Sequence, residues 1–498
     1  MATKTKRKII KTLAIVVLLG GAGGMFGWYK FFRELDQPPF ADESERFKYG
    51  SIGAEFSRGI PYWIWVVMPR VFPELMPGPG GYKSFGLVWE EGKETPVGFS
   101  KKIVGFPRIA NNCAICHVGT WRSKEDEVPH VVVASPANTV DVQGLLRFLT
   151  KAGGDSRFNA GTLLAEIDRE TRLSFIDRQL YRFVIIPMTR SALQRQEKQF
   201  TWMNRPGWPD WGPGRDDPMN LTKYFMTSQP VDNSTGQADF PSNWNLQSRK
   251  GTNLFLNWSC DTPSVHSVLI DSALGLGAAP DRNNRLSYPI DLLNWKLQRR
   301  AWFNKRMDDL DDFLSKLPPP KYPFPINADL ARQGKPIYDR DCAECHDVGR
   351  ARTSAAIPID EIGTDRERMD TWTKPAADQA NEAVKNLGIT RPNMVKHFGY
   401  CSPPLDGIWM RAPYLHNGSV PTLRDLLEPV TGRPAYFYRG YDVYDPVNVG
   451  FVTQGTSATR VGWKLDVKER GNGNQGHTYG TTLGSDDKQA LLEYLKTL

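Results

Sequence analysis

ADLARQGKPIYDRDCAECH, residues 328–346, decides how the C-terminal part of this chain folds. It reads as a helix delivering Cys342, Cys345 and His346 in a C-x-x-C-H pattern. The same pattern recurs in NNCAICHVG (111–119), at Cys113, Cys116 and His117. In C-x-x-C-H the two thiols add across the vinyl groups of a haem, and the adjacent histidine is delivered to one axial face of the iron. With six Cys and seven His in 498 residues, composition alone gives about 0.001 such motifs. Two of them imply two covalently bound haem c groups. The alternatives are a zinc site or a redox C-x-x-C, but zinc calls for a second ligand pair at characteristic spacing, which the sequence lacks.

Working outward, Asp486 to Leu498 closes the chain with Leu491, Leu492 and Leu495 on one helical face. A helix before the motif and a helix at the end are the two elements that cross in a c-type cytochrome fold. PPPKYPFPI (318–326) cannot be helical and reads as a stiff connector. Residues 160–200 read as two amphipathic helices, with Leu163, Leu164 and Ile167, then Phe175, Leu180, Phe183 and Val184, at helical spacing. Asp308 to Leu317 reads as another short helix. Strand signals are sparse, and 44 glycines and 37 prolines point to much irregular structure. The expected fold is mostly α: two c-type cytochrome haem domains with long irregular loops, preceded by one N-terminal transmembrane helix. The expected segments are 1–30, a cytoplasmic tip and anchor; 31–80, a Pro-rich periplasmic lead; 81–317, the first haem domain; 318–326, the linker; and 327–498, the second haem domain.

The anchor rests on residues 12–29 (TLAIVVLLGGAGGMFGWY), which are uncharged and follow a Lys/Arg-rich start. Eighteen helical residues rise about 27 Å, enough for a hydrocarbon core. The positive-inside rule leaves the N-terminus in the cytoplasm and sends the rest across, with Trp28 and Tyr29 at the interface. A cleaved signal peptide is the alternative, but no A-x-A precedes the aromatic cluster. The expected location is the bacterial inner membrane, single-pass, with the bulk in the periplasm, where haem attachment of this kind occurs. An apolar patch from Ile60 to Met68 is too short to span, and reads as a surface segment packed on the body or lying near the bilayer. Of the net charge of +8, six charges lie in residues 1–30, leaving +2 for the remaining 468. That leaves no basic stripe for nucleic acid; the expected partners are the membrane and a redox partner protein or quinone-linked complex.

His117 and His346 are the expected fifth ligands, so the sixth ligands decide function. His477 is the leading candidate at the second haem, because GNGNQGHTYG (471–480) is a Gly-rich loop just before the closing helix. His416, in APYLHNGS, is the rival, followed by Met394, Met410 or no ligand. His130 lies in an apolar VPHVVV run that reads as packing, and an open or water-bound first haem is expected. Cys260 and Cys401 remain, and two buried thiols are expected, with a disulfide as the alternative.

Several stretches resemble the rubber-oxygenase-like dihaem cytochromes c, distant relatives of bacterial dihaem cytochrome c peroxidases and MauG-type enzymes. They are GIWMRAPYLHNGSVPTLRDLLEP (407–429), GTDRERM (363–369), PSNWN (241–245), WGPGRDDPMN (211–220) and GHTYG (476–480). The resemblance implies that the first haem, on His117, is reactive, and that the second, on His346, is six-coordinate with His477. It also implies a relay tryptophan between the haems, Trp244 by first choice and Trp258 by second. Where such a protein is expected to carry His-Trp-Asp-Gly, this chain has Asn257, Trp258, Ser259 and Cys260. Loss of an acid/base pair there would weaken peroxide cleavage. The expected function is an oxidoreductase, peroxidase- or oxygenase-like. It would activate peroxide or dioxygen at the first haem, with electron transfer through the second, and rubber cleavage itself is not expected. The alternative is a non-catalytic electron-transfer cytochrome or a haem subunit of a membrane redox complex.

Overall fold

The computed structural model describes residues 2–249, 255–278 and 292–498. Helix Ala2–Phe31 opens the chain, and its segment Lys8–Phe31 is long and apolar enough to cross a membrane.

Helix Ala328–Asp341 starts where the Asn327 side chain accepts from the backbone N–H groups of Asp329 and Leu330, satisfying donors that a helix start leaves unpaired. It crosses the closing helix Ser485–Leu495. The crossing is close because position 334 is glycine: a Cβ there would lie 2.0 Å from the Ala490 carbonyl oxygen. Tyr338 and Tyr494 pack beside it, with ring centroids 5.0 Å apart.

The first motif stands on a different scaffold. Strands Phe99–Val104 and Phe106–Asn111 form an antiparallel hairpin, flanked by Glu34–Leu35 and Ile60–Pro61 in one four-stranded sheet. The hairpin runs straight into Asn112, whose side chain accepts from the Ala114 N–H. Its amide donates to the carbonyls of Lys48 and Gly50 at 3.2 and 3.0 Å. Val118–Trp121 then pairs with His130–Val133. Fourteen short strands among the described residues exceed what the sequence signals: most are two to four residues long, too short to show alternation.

Three further expectations change. The patch at Ile60–Met68 is mostly the helix Tyr62–Val71, with Ile64, Trp65, Val67 and Met68 buried. A helix apolar all round belongs in a core, and Trp65 stacks on Tyr82 at 4.2 Å. The helix read at Asp308–Leu317 is the end of a longer one, Leu292–Lys316, burying Phe303, Met307, Leu310 and Leu314. Cys260 and Cys401 form a disulfide rather than two thiols. The 160–200 stretch is helical, as Ala160–Glu170 and then a rod from Phe175 to Phe200 broken by a π turn at Tyr181–Ile185.

The halves on either side of 318–326 share one core: Phe47, Ile270, Trp409 and Leu491 belong to the same buried cluster. Buried polar contacts cross between them. Arg215 Nη1 donates to Asn472 Oδ1 at 2.8 Å, Arg122 Nε to Asp442 Oδ1 at 2.8 Å, and Arg439 pairs with Asp239 at 3.2 Å. The proline connector is itself fastened, with Trp409 Nε1 donating to Pro320 and Tyr322 Oη to Pro446.

Candidate functional site

Each C-x-x-C-H motif faces its own cavity. Cys113, Cys116 and His117 line one of about 620 Å³; Cys342, Cys345 and His346 line another of about 210 Å³. Each motif histidine meets a proline carbonyl. His117 Nδ1 lies 3.0 Å from the Pro241 carbonyl oxygen, with the Asn243 side-chain amide also 2.9 Å from it, and His346 Nδ1 lies 2.7 Å from the carbonyl oxygen of Pro403. A carbonyl requires a proton on Nδ1, which leaves the Nε2 lone pair for a metal. Burial lowers both pKa values, that of His117 to about 4, so both rings are neutral and able to ligate.

The four motif thiols are unpaired with one another. Burial pushes Cys113 up to about 11 and Cys342 up to about 12. A redox-active C-x-x-C has a lowered thiol pKa, so these sites lack its electrostatics. Among the described residues no group of three or more His, Cys, Asp and Glu side chains converges to hold a bare metal ion. Thioether attachment of haem suits thiols of this kind.

The second cavity carries further signs of fit. The His477 ring lies across from the His346 ring, with centroids 6.4 Å apart. An imidazole nitrogen sits about 2 Å from a transition metal, so two imidazoles on opposite sides of one ion have centroids about 6.3 Å apart. His477 is held by its loop. Its N–H donates to the Ile362 carbonyl at 2.8 Å, and a Cβ on the preceding Gly476 would lie 2.3 Å from the Gly363 carbonyl carbon. Buried Arg433 donates to the carbonyls of Asn474, Gly476 and His477 at 2.6, 2.8 and 3.1 Å. His477 Nδ1 and Arg411 Nε are buried without a protein partner. Arg411 lines the second cavity, where its guanidinium suits a haem propionate.

His416 also lines this cavity, but its ring is stacked flat on Tyr400 at 3.8 Å. Met394 lines the first cavity instead, and Met410 is buried in the core. His130 is exposed, stacked on Trp121 and bonded to Glu127 at 2.8 Å. His266 lies 3.4 Å from Asp308, and His397 packs edge-on against Phe255. Among the described residues, no histidine apart from His117 lines the first cavity.

That cavity holds carboxyl groups instead. Asp216, Asp261 and Asp271 line it together with Arg368. Burial lifts Asp216 and Asp271 to about 7 and raises Asp261; the Asn257 amide donates to Asp261 at 2.9 Å. Sequence reading looked for acid/base groups at 257–260 and missed these. Asp216 and Arg368 stand in WGPGRDDPMN and GTDRERM, stretches that did stand out, whereas Asp261 and Asp271 lie outside both.

Asp239, Phe240, Pro241, Ser242 and Trp258 line both cavities and form the wall between them. Trp258 Nε1 donates to the Asp239 carbonyl at 2.8 Å, and the Trp258 carbonyl accepts from the Cys401 N–H. Its turn therefore stands within the disulfide-bonded segment. Trp244 lines neither cavity; it is buried behind Arg411, with its Nε1 donating to Asp406 at 2.7 Å.

Residues 399–438 match the family described as RoxA-like, cytochrome c-like. This stretch contains 407–429 and includes Cys401, Pro403, Arg411 and His416 around the second cavity; a cytochrome c-like domain implies covalently bound haem c. Two curated proteins of Sinorhizobium fredii (strain NBRC 101917 / NGR234) are similar. Uncharacterized protein y4iJ is 38% identical over 141 residues, 26% of this chain and 22% of that protein. Uncharacterized protein y4iM is 28% identical over 306 residues, 52% of this chain and 64% of that protein. The chain thus covers less than two thirds of the length of either.

Proposed function

We propose that this chain is a membrane-anchored, exported dihaem c-type cytochrome. In this reading it is an oxidoreductase that activates peroxide or dioxygen at the His117 site, with electron transfer through the His346 site. The observation that carries it is the inequality of the two sites. The second is closed by a histidine facing its motif histidine, whereas among the described residues no histidine but His117 lines the first, which is larger and holds carboxyls and Arg368.

Haem c, when bound, supplies a redox-active iron able to react with an oxygen species where a coordination position is free. The rest falls to side chains. His117 and His346 present Nε2, oriented through Nδ1 by the two proline carbonyls. Asp216, lifted to about 7, can hold a proton at Oδ or release it near neutral pH, as general acid/base work requires, whereas Asp271 is engaged by Arg391 at 3.0 Å. Arg368 beside them offers a fixed positive charge. Trp258, tied to the wall by its indole N–H, spans the partition and fits the relay role better than Trp244 does.

The test is ligation. His477→Ala should convert one low-spin haem to high-spin and raise carbon monoxide binding from one iron per chain to two. His416→Ala and His130→Ala should leave the low-spin signal intact. An unmodified protein whose haems are both low-spin and ignore carbon monoxide would replace this reading with the electron-carrier one.

A further inference from the structure

The rod from Phe175 to Phe200 lies beside the end of the N-terminal apolar helix. Lys30 Nζ pairs with Asp177 Oδ1 at 2.6 Å. Phe31 meets Phe106 edge-on at 6.3 Å, and Phe106 meets Tyr181 at 6.3 Å. The rod is thereby fixed where a membrane-crossing helix would leave the bilayer. It carries Phe175, Ile176, Phe183 and Met188, between 50% and 77% exposed. Outside the N-terminal helix, no other element among the described residues exposes four large apolar side chains. Within the rod the exposed charges, Arg182, Arg195 and Lys198, are all basic, while Asp177 and Glu197 are half-buried. Exposed aromatic and aliphatic residues interleaved with basic ones are the composition of an interfacial helix.

The same rod helps to build the first cavity. Ile185, Met188, Thr189 and Ala192 line it, and so does Phe31, the last residue of the apolar helix. The cavity therefore runs from Cys113, Cys116 and His117 to the place where the chain would meet the bilayer. It also holds more than the second. Both motifs call for the same group, yet the cavities are about 620 and 210 Å³, so the first has room for a further small molecule that the second lacks.

We propose that the Phe175–Met188 face lies in the outer leaflet of the membrane that the N-terminal helix enters, and that an amphipathic, lipid-soluble molecule fills the first cavity from there. Its apolar part would lie along Ile185 and Met188, and its polar end beside Arg195. This rests on the reading that the His117 site is the open one.

The test uses the full-length haem protein in phosphatidylcholine/phosphatidylglycerol vesicles. The six native cysteines lie in the two motifs and the disulfide, so a nitroxide attached through Phe183→Cys is selective. It should relax at least several-fold more with lipid-soluble oxygen than with a water-soluble nickel chelate. A nitroxide at Val447→Cys, on the second half, should do the reverse, and identical behaviour at both positions would overturn the membrane contact. In the same vesicles, oleate should perturb the absorption band of the first haem. Ala192→Trp, at the exposed rim, should raise the half-maximal oleate concentration at least tenfold while cyanide still binds. Cyanide binding with no oleate effect, or with equal oleate effects in both proteins, would overturn filling from the bilayer and leave the open-site reading standing. Absence of cyanide binding to the unmodified protein would remove the open site and this proposal with it.

Discussion

Arg433→Met should release the His477 loop without unfolding the chain. The guanidinium donates to five backbone carbonyls: those of Leu426 and Glu428 on one side, and those of Asn474, Gly476 and His477 on the other. It is buried, and its pKa is lowered by that burial, so this cation is held by peptide dipoles with Asp425 as the nearest compensating acid. A methionine fills similar volume and donates nothing. Three of the five bonds reach the loop, and at about 1 kcal/mol net for each the loop would lose about 3 kcal/mol of restraint. That corresponds to a roughly hundredfold rise in the equilibrium constant for loop release. The assay is the high-spin fraction of the ferric protein, followed through guanidinium concentrations below global unfolding. The variant should gain high-spin haem at lower denaturant than the parent, with near-unchanged far-UV circular dichroism. Arg433→Lys keeps the charge but cannot reach carbonyls on both sides, and should fall between. Coincident spin-state curves for parent and methionine variant would refute the claim that Arg433 holds the loop.

The remaining predictions concern the acid groups, the disulfide and the helix crossing. Asp216 has its pKa raised to about 7, chiefly by burial and then by Asp217. A carboxyl whose folded pKa is raised lends stability at low pH and loses it as pH climbs from about 4 to 7. Asp216→Asn should therefore melt with the parent at pH 4 and above it at pH 8, and a pH-independent difference would contradict this. Cys260→Ser with Cys401→Ser opens a cross-link spanning 141 residues, and should cost about 2–4 kcal/mol in denaturant unfolding. It should also broaden the environment of Trp258, seen as slower electron exchange between the haems. Gly334→Val drives a side chain onto the Ala490 carbonyl, 2.0 Å from the Cβ position. It should destabilise the chain by about 1–3 kcal/mol or more, read as a lowered melting temperature of the haem band.

The second cavity was largely legible in the sequence because its parts are local. The helix cap at Asn327, the C-x-x-C-H at 342–346, the Gly-rich loop at 471–480 and the closing helix are each short, and each bears its own signal. Their juxtaposition follows from one helix crossing. The first cavity was illegible beyond its motif because its walls come from many separated segments, among them those around residues 110, 190, 216, 260 and 368. No local periodicity encodes that Asp216, Asp261 and Asp271 converge. Nor does anything within PSNWN tell Trp244, tied to Asp406, from a tryptophan standing between two cofactors. The tryptophan in the wall between the two cavities is Trp258, whose turn is placed by contacts with Asp239 and Cys401, about 20 and 140 residues away.

The same contrast separates what each site can do. The His346 site is made of the residues that close it: Arg433 holds the loop, the loop holds His477, and the ring stands at the distance that one metal ion between two imidazoles requires. A site so determined favours one ligation state and resists reorganisation, which suits electron transfer. The His117 site has its motif histidine equally well oriented but faces carboxyls near neutral pKa and a space that reaches the membrane-proximal rod. Groups that can change protonation, with room for a second molecule, are what the reaction proposed for this site would use. The wall of Asp239, Pro241 and Trp258 joins the two, and Pro241 does so directly: its carbonyl meets His117 and the residue also lines the second cavity. The two cavities are thus joined by a covalent and hydrogen-bonded connection through the 239–242 segment.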